Sequence, residues 1–277
     1  MLTWPNFNPI ALNIGPIPIP WYGPVTMHIR WYGIMYLIGI GVGWLLLRSR
    51  ARKPDSGWNR EQVDDLIFYG VLGIILGGRI GYVLIYAFDT FLEDPLYLIK
   101  ITEGGMSFHG GLCGVLIAMF LYARRRDVRR PFFAVVDFIA PAIPPGLFTG
   151  RIGNFINGEL WGKVTDVPWA FIYDGEPRHP SQLYEAALEG VALFVILWLY
   201  SSKPRPTRAV SGLFALCYGC FRFLIEFVRV PDKHPGYIAF GWLTMGQLLS
   251  APLMIIGIVL LALAYGQRTP AAEVARQ

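Results

Sequence analysis

The sequence predicts an all-α, polytopic integral membrane protein with seven transmembrane helices, on the basis of three observations. Of the 277 residues, 54% are hydrophobic and 16% are charged, too few charges to cover the surface of a soluble protein of this size. Several apolar stretches of about 18 to 25 residues have the length needed to cross a hydrocarbon core of about 30 Å. Strand-like alternation is absent from them, and lipid cannot satisfy exposed backbone polar groups, so these stretches are expected to be helices.

Seven apolar segments account for these helices, at about 29–47, 63–87, 105–123, 132–149, 183–200, 210–228 and 243–265. The residues before the first segment hold no Lys or Arg and are rich in Pro and Asn, unlike a cleaved signal peptide, so the first helix is expected to be retained. Because no soluble stretch exceeds about 35 residues, residues 1–277 are predicted to form a single integral-membrane domain. The longest loop lies at about 149–182.

The basic residues predict the orientation of these helices. One alternating set of loops, with the C-terminal tail, holds fifteen Lys and Arg residues, whereas the other set holds six. Cytoplasmic loops carry the excess of basic residues, so the N-terminus is expected outside and the C-terminus in the cytoplasm. A net charge of +5 could also suggest binding to nucleic acid, but this distribution of the basic residues indicates membrane orientation instead.

A polar stripe interrupts the sixth apolar segment. Tyr218, Arg222, Glu226 and Arg229 have helical spacing on one face. Arg222 lies about 18 Å along the segment from its cytoplasmic end. An arginine within hydrocarbon costs on the order of 3 kcal/mol, so it requires a partner or a ligand. A purely structural pair between Arg222 and Glu226 is the alternative interpretation.

An internal echo relates the second and fourth segments. Asp65 precedes Arg79 by fourteen residues, and Asp137 precedes Arg151 by the same number. Each arginine is expected about 20 Å from a cytoplasmic-side aspartate. A shared ligand-binding role is one interpretation, and a shared packing solution is the other, because glycines recur at four-residue spacing in the second segment.

The block GRIGNFINGELWG, residues 150–162, concentrates polar groups at the outer end of the fourth segment. Arg151 offers a planar cationic fork, Asn154 and Asn157 offer amides, and Glu159 can hold an arginine or take a proton. An interfacial turn that satisfies a helix end is the alternative. Together with the other arginines, the block predicts a site for an anionic phospholipid head group at the outer leaflet.

His109 lies near the outer end of the third segment, between pairs of glycines that allow backbone or ligand to approach closely. A structural histidine within an apolar helix is the alternative. The four histidines are scattered and no metal-binding motif is present, so no metal is predicted. Cys217 and Cys220 form a CxxC inside an apolar helix and are predicted to be packing residues.

Five stretches then carry a family resemblance. They are WYGIMYL at 31–37, HGGL at 109–112, GRIGNFINGELWG at 150–162, RHPSQLYE at 178–185 and FRFLIEFVR at 221–229. Over nearly its whole length the chain resembles the bacterial phosphatidylglycerol:prolipoprotein diacylglyceryl transferases.

The resemblance implies a seven-helix protein of the bacterial cytoplasmic (inner) membrane, with an outside N-terminus and an active site that faces the outer leaflet. It implies transfer of diacylglyceryl from phosphatidylglycerol to the lipobox cysteine thiol in the signal peptide of a preprolipoprotein, with release of glycerol phosphate. Membrane lipid and the signal peptide are the expected partners, and no cofactor is expected.

The family pattern also implies site residues. We assign catalysis to four of them: His109 as the acceptor of the thiol proton, Arg151 and Arg222 as stabilisers of the leaving phosphate, and Glu226, with Glu159 as an alternative, as the group that orients an arginine. Residues expected to bind phosphatidylglycerol are Arg151, Asn154, Glu159, Gly162, Tyr32, Tyr218 and, from the internal echo alone, Arg79.

Two other functions compete with this interpretation. A transporter or channel for an organic anion would use the arginines as its substrate site and the echoed spans as a repeat. An intramembrane serine protease would need Ser107 beside His109, but residues two apart on a helix point away from each other. The transporter is the stronger alternative.

Overall fold

The computed structural model describes residues 1–19, 23–100, 104–125, 127–231 and 236–266. The C-terminal tail, whose two basic residues enter the charge comparison, lies outside the described residues. Backbone contacts divide the chain into two compact units. The first comprises Met1–Gly43 and Asp137–Gln277, and the second comprises Trp44–Val136.

Ten α-helices are found in the described residues, and all seven predicted apolar segments are helical. The helices are α1 (Trp31–Ala51), α2 (Arg60–Tyr86), α3 (Phe88–Glu93), α4 (Phe108–Ala123), α5 (Phe132–Ile139), α6 (Pro144–Asn157), α7 (Ser181–Glu185), α8 (Leu193–Tyr200), α9 (Ala209–Ile225) and α10 (Met245–Gly266). A π-helical segment, Ala186–Ala192, joins α7 to α8 without a break.

Four helical stretches are long and apolar enough to cross a membrane: α1, α2, Ser181–Tyr200 and α10. The pair formed by α5 and α6 adds a fifth if it counts as one span bent by 46°. Its bend coincides with Pro141 and Pro144, which remove backbone donors and end regular helix. Helices α4 and α9, of 16 and 17 residues, are apolar but shorter. A helical protein with several membrane spans is therefore confirmed, while the count of seven and the orientation stay predictions.

Glycine contacts hold α2 against α4 in the second unit. A Cβ on Gly73 would lie 2.7 Å from the carbonyl oxygen of Gly114, and one on Gly81 would lie 2.6 Å from the Cα of Gly110. Both distances are shorter than real Cβ contacts, so the two backbones touch directly. The packing interpretation of the glycine spacing in the second segment agrees with this arrangement.

Short strands occur between the helices. The N-terminal hairpin pairs β2 (Ile10–Ile19) with β3 (Gly23–Arg30), and β6 (Tyr237–Ala239) pairs with β7 (Leu243–Thr244). A third sheet has the order β1 (Leu2–Thr3), β4 (Phe171–Tyr173), β5 (Glu176–Arg178). No strands are predicted from the sequence, because the apolar segments on which the prediction rests are those long enough to cross a membrane.

Residues 162–165 extend this third sheet and connect it to the end of α9. On one side, Thr165 N donates to Pro177 O at 3.0 Å. On the other side, Lys163 N donates to Val228 O at 2.8 Å. Backbone hydrogen bonds thus join the end of the 150–162 block, the strand that contains Arg178, and the segment that contains Arg229.

Candidate active site

Three arginines and three glutamates of the first unit form a single group of ion pairs, here named the arginine–glutamate cluster. Fully buried Glu185 is its centre, because its Oε1 accepts from Arg222 Nη1 and Arg229 Nη1, both at 3.0 Å. Its Oε2 lies 3.0 Å from Arg151 Nε. The members are Arg151, Arg222, Arg229, Glu185, Glu189 and Glu226.

The other two carboxylates complete the cluster. Arg222 Nη2 lies 2.5 Å from Glu226 Oε1, and Arg151 Nη2 donates to Glu189 Oε2 at 3.4 Å. The predicted alternative, an Arg222–Glu226 pair within one helix, is therefore present, but as one part of a larger network. Three positive and three negative formal charges balance, and such compensation is what lets ionised groups remain buried.

Close packing around small residues brings these side chains together. A Cβ on Gly190 would lie 2.6 Å from Phe148 Cβ, so α6 and the π-helical segment approach closely beside Arg151 and Glu189. Glu226 is held from β7, directly before α10, since Thr244 Oγ1 donates to its Oε2 at 2.6 Å. π-Helical segments inside α-helices often occur at functional sites.

The arginine–glutamate cluster is not completely buried. The side chains of Arg151, Arg222 and Arg229 are 20%, 17% and 13% exposed, whereas those of Glu185 and Glu189 are fully buried. The exposed part of the cluster therefore belongs mainly to the arginine side chains, and the carboxylates form its buried side.

The amides of the 150–162 block form a second polar group in the same unit. Asn154 Nδ2 donates to Glu159 Oε2 at 3.1 Å, and Asn157 Nδ2 donates to Glu159 Oε1 at 3.3 Å. Tyr32 hydrogen-bonds with the Asn154 side chain, and its hydroxyl lies 3.2 Å from that of Tyr36. Three predicted substrate residues, Tyr32, Asn154 and Glu159, are thus brought together.

Tyr218 lies beside the cluster. Its hydroxyl interacts electrostatically with Glu189, Arg151 and Arg222, and its ring stacks on Phe214 at 5.9 Å between centroids. This places the predicted tyrosine on the same side of α9 as Arg222, as the helical spacing requires.

Gly162 is enclosed by backbone. A Cβ at this position would lie 2.6 Å from Val228 O and 2.8 Å from His179 O. Gly162 N also donates to His179 O at 2.9 Å. The residue is therefore needed for the close approach of three chain segments, one of which precedes Arg229 directly.

We expect Gly162→Ala to lower transfer activity at least tenfold, because the added methyl must displace the Val228 carbonyl and with it Arg229; overpacking of this kind costs about 1–3 kcal/mol. Initial rates and thermal unfolding of the purified variant measure the two effects. Gly150→Ala is the matched control, since nothing lies within 4 Å of a Cβ there. Equal rates for Gly162→Ala and Gly150→Ala would contradict the expectation.

His179 belongs to the RHPSQLYE stretch and packs beside Gly162. Its Nδ1 lies 3.1 Å from the Tyr184 hydroxyl. Burial, and then the charge of Lys163, lower the pKa of His179, so its imidazole is neutral at pH 7. A neutral ring next to the backbone of Gly162 adds no charge to the site.

A cavity of about 720 Å³ lies within the first unit and includes one cluster residue. We name it the Arg178–Arg229 cavity; its lining includes Leu160, Trp161, Tyr173, Asp174, Arg178 and Arg229. Trp161 and Tyr173 stack at 4.8 Å between ring centroids and form a rigid aromatic wall.

His109 belongs to the second unit, in the first turn of α4. Ser107 caps this helix by accepting from Gly110 N at 3.2 Å. The His109 side chain is exposed, and its ring packs edge-on against Phe108 at 5.6 Å between centroids. Exposure leaves this imidazole open to contact with a ligand, and the catalytic role of His109 stays a prediction.

Arg79 is also in the second unit, where it is 3% exposed. Its guanidinium donates to the carbonyls of Leu98 (3.1 Å), Gly105 (3.2 Å), Gly104 and Tyr97. These contacts support a role in holding the chain before α4, and they lend nothing to the substrate-binding role predicted from the internal echo.

The aspartates of the echo also differ in their contacts. Asp65 pairs with Arg125 Nη1 at 2.7 Å, whereas Asp137 accepts from the backbone of Ser211 at 2.7 Å and caps α9. The two echoed spans therefore share a spacing without sharing partners.

Glu185 and Glu189 were not among the predicted site residues. Glu185 enters the sequence analysis only as the last residue of the RHPSQLYE stretch, and Glu189 does not enter it. The available signal was two carboxylates, four residues apart, inside an apolar span, since ionisable residues at such positions are functional candidates.

Comparison with known proteins decides the family. A model of the prolipoprotein diacylglyceryl transferase family matches residues 24–263. The chain belongs to this family. It is 55% identical over 268 residues to the phosphatidylglycerol–prolipoprotein diacylglyceryl transferase of Pseudomonas paraeruginosa, covering 96% of each chain.

Two further relatives of the same name agree. The Oleidesulfovibrio alaskensis protein is 55% identical over 275 residues, covering 98% of each chain. The Pseudomonas putida protein is 55% identical over 277 residues, covering 98% of this chain and 99% of the relative. The family predicted from the five sequence stretches is confirmed, and the arginine–glutamate cluster lies inside the part that the prolipoprotein diacylglyceryl transferase model matches.

Proposed function

We propose that this chain catalyses the diacylglyceryl transfer for which its family is named, with the arginine–glutamate cluster as the site of the phosphate. The chain is a transferase that moves the diacylglyceryl group from phosphatidylglycerol to a prolipoprotein. We place the phosphate at this cluster because Arg151, Arg222 and Arg229 converge on buried Glu185.

The acceptor is the lipobox cysteine of the prolipoprotein signal peptide. Its sulfur attacks the carbon of the diacylglyceryl group that is bonded to a phosphate oxygen of the lipid. A C–S bond forms, the C–O bond breaks, the thiol loses its proton, and glycerol phosphate leaves with an additional negative charge. The protein must therefore stabilise the leaving phosphate and help to remove the proton.

Stabilisation of the leaving phosphate is the role of Arg151 and Arg222. The carboxylates of Glu185, Glu189 and Glu226 fix both guanidiniums before substrate binds, so little reorganisation is needed as charge develops. The forked geometry of arginine suits two phosphate oxygens at once. Glu226 orients Arg222.

The neighbouring polar groups bind the rest of the phosphatidylglycerol head group. Asn154 and Glu159 form a donor–acceptor pair that interacts with the Tyr32 hydroxyl, and the Tyr218 hydroxyl lies beside the arginine–glutamate cluster. Gly162 contributes indirectly, because only a residue without a side chain lets the backbone at Val228 and His179 approach this closely. Such pairs suit a head group that has both hydroxyls and phosphate oxygens.

The membrane placement follows the same proposal. The chain spans the bacterial cytoplasmic membrane seven times, with its N-terminus outside and the site at the outer leaflet. The four to five long apolar helices, the two shorter ones and the unequal distribution of basic residues between alternate loops support this placement.

A transfer assay tests the function. Purified protein is incubated with vesicles of phosphatidylglycerol labelled in the glycerol carbons of its diacylglyceryl group and with a peptide that contains a lipobox cysteine. Label should move to the peptide and form a base-stable thioether, and a Cys→Ser peptide is the control. An unmodified peptide, with labelled lipid moved across the bilayer instead, would favour the transporter alternative.

The assignment of His109 as proton acceptor predicts an effect on the pH profile. Asparagine cannot accept the thiol proton, so we expect His109→Asn to lower kcat/KM by about 10²- to 10⁴-fold and to change its dependence on pH. Rates across pH 5–9 measure both effects. His28→Asn, in the N-terminal hairpin, is the control. A rate and a pH profile in His109→Asn that equal those of the wild type would refute the role.

A further inference from the structure

The Arg178–Arg229 cavity contains two arginines to which the transfer chemistry described above assigns no contact with the leaving phosphate. Its volume of about 720 Å³ is within the usual range for small-molecule sites. Asp174 is its one acidic lining residue, so the lining has a net charge of +1 when all three groups are ionised. A small anion is the ligand that such a lining favours.

Arg229 connects this cavity to the arginine–glutamate cluster. It lines the cavity, and its Nη1 donates at 3.0 Å to the same Glu185 oxygen that Arg222 Nη1 contacts. Arg222 and Arg229 are therefore neighbouring cations on one carboxylate, and the second of them lines the cavity.

Arg178 provides a second cation, on β5. Its side chain is 26% exposed; Nη2 pairs with Glu176, which is itself exposed, and Nη1 makes a long 3.4 Å contact with Gly162 O. Exposed ion pairs are weak, at about 0–1 kcal/mol, so Arg178 can exchange Glu176 for an anionic ligand.

The reaction produces a small anion that cannot leave through lipid. Its diacylglyceryl part stays attached to the peptide in the membrane, whereas glycerol phosphate carries up to two negative charges and cannot enter hydrocarbon. It therefore needs a polar route from the cluster. Arg229 followed by Arg178 is such a route within the first unit.

We propose that the Arg178–Arg229 cavity is the product site of the enzyme, where released glycerol phosphate binds to Arg229 and Arg178 before it leaves. This inference rests on the proposed function, because the product is defined by that reaction. The ligand class is a phosphate monoester of a small polyol, and the Trp161–Tyr173 wall contacts its carbon chain.

The test measures inhibition of transfer by added glycerol 1-phosphate. In Arg178→Gln the inhibition constant should rise about tenfold, the loss expected for one charge-assisted hydrogen bond. In Asp174→Asn it should fall, because a repelling charge is removed; asparagine tolerates the φ of 51° at this position. The KM for phosphatidylglycerol should change less than twofold in both variants.

Lys163→Gln is the matched control, since it removes a cation from the same loop but outside the cavity lining. Its inhibition constant should stay within twofold of the wild type. Phosphorus NMR titration of each purified protein with glycerol 1-phosphate, and separately with inorganic phosphate, gives a readout that needs no turnover. Weaker binding of glycerol 1-phosphate to Arg178→Gln, with a smaller change for inorganic phosphate, supports the proposal.

Three outcomes would overturn it: equal inhibition constants in the wild type and both cavity variants, a change confined to the KM for the peptide, or a parallel rise in the KM for phosphatidylglycerol, which would make the cavity a lipid head-group site. If Arg178→Gln fails to fold, the opposite shift in Asp174→Asn decides. Failure of the wild type to transfer label at all would contradict the proposed function instead, so the two failures are distinguishable.

Discussion

Arg222→Ala is expected to lower kcat for diacylglyceryl transfer by about 10²- to 10³-fold, the loss typical when one preorganised donor to a developing anion is removed. Arg222 Nη1 and Nη2 are held by Glu185 and Glu226, so the wild-type guanidinium is already oriented. The KM for phosphatidylglycerol should rise much less, because the interaction strengthens as the phosphate gains charge. Single-turnover transfer of labelled lipid to the lipobox peptide measures the chemical step.

Two comparisons separate this role from simple folding. Arg205→Ala removes an arginine that stacks on Tyr200 at 4.2 Å and lies outside the cluster, so its kcat should remain near the wild-type value. Arg222→Lys keeps the charge but loses the fork, so it should recover only part of the rate. Near-normal turnover in Arg222→Ala, in protein that unfolds at the wild-type temperature, would remove Arg222 from the phosphate site.

The helical segments were predictable from sequence because hydrocarbon restricts the backbone conformations that a membrane-spanning segment can adopt. A run of about 20 apolar residues can satisfy its backbone in hydrocarbon only as a helix, so all seven predicted segments are helical. The short strands were not predictable in this way. Strand β5, for example, is fixed by its antiparallel pairing with β4 and by the hydrogen bond from Thr165 N to Pro177 O, and not by any apolar pattern of its own.

Part of the candidate site was predictable for a related reason. Arg151 and Arg222 had to have partners because a guanidinium in hydrocarbon is costly, and the same argument applied to Glu185 and Glu189 would have found them. What spacing could not show is that one carboxylate serves three arginines from α6, α9 and the turn after α9. Arg79 shows that spacing can also mislead. It has the same spacing from an aspartate as Arg151, but its guanidinium donates to backbone carbonyls and not to a carboxylate of the cluster.

Glu185→Gln should have the largest effect on stability of any single change in the cluster. It leaves Arg151, Arg222 and Arg229 with two carboxylates for three positive charges, and breaking a buried ion-pair group by removing one partner typically costs about 3–5 kcal/mol. Transfer should fall at least 100-fold as well, because the guanidiniums lose the group that fixes their separation. Thermal unfolding in detergent and single-turnover transfer measure the two losses.

Glu189→Gln is the matched control for Glu185→Gln, because Glu189 is equally buried but, among the residues that the structure describes, forms an ion pair with Arg151 alone. If Glu185 is the centre of the cluster, its substitution must destabilise the protein more than that of Glu189. Adding Arg229→Gln to Glu185→Gln should then restore part of the stability, since it removes one uncompensated charge. Equal destabilisation by the two glutamate variants, with no recovery in the double variant, would show that the three arginines do not depend on a shared carboxylate.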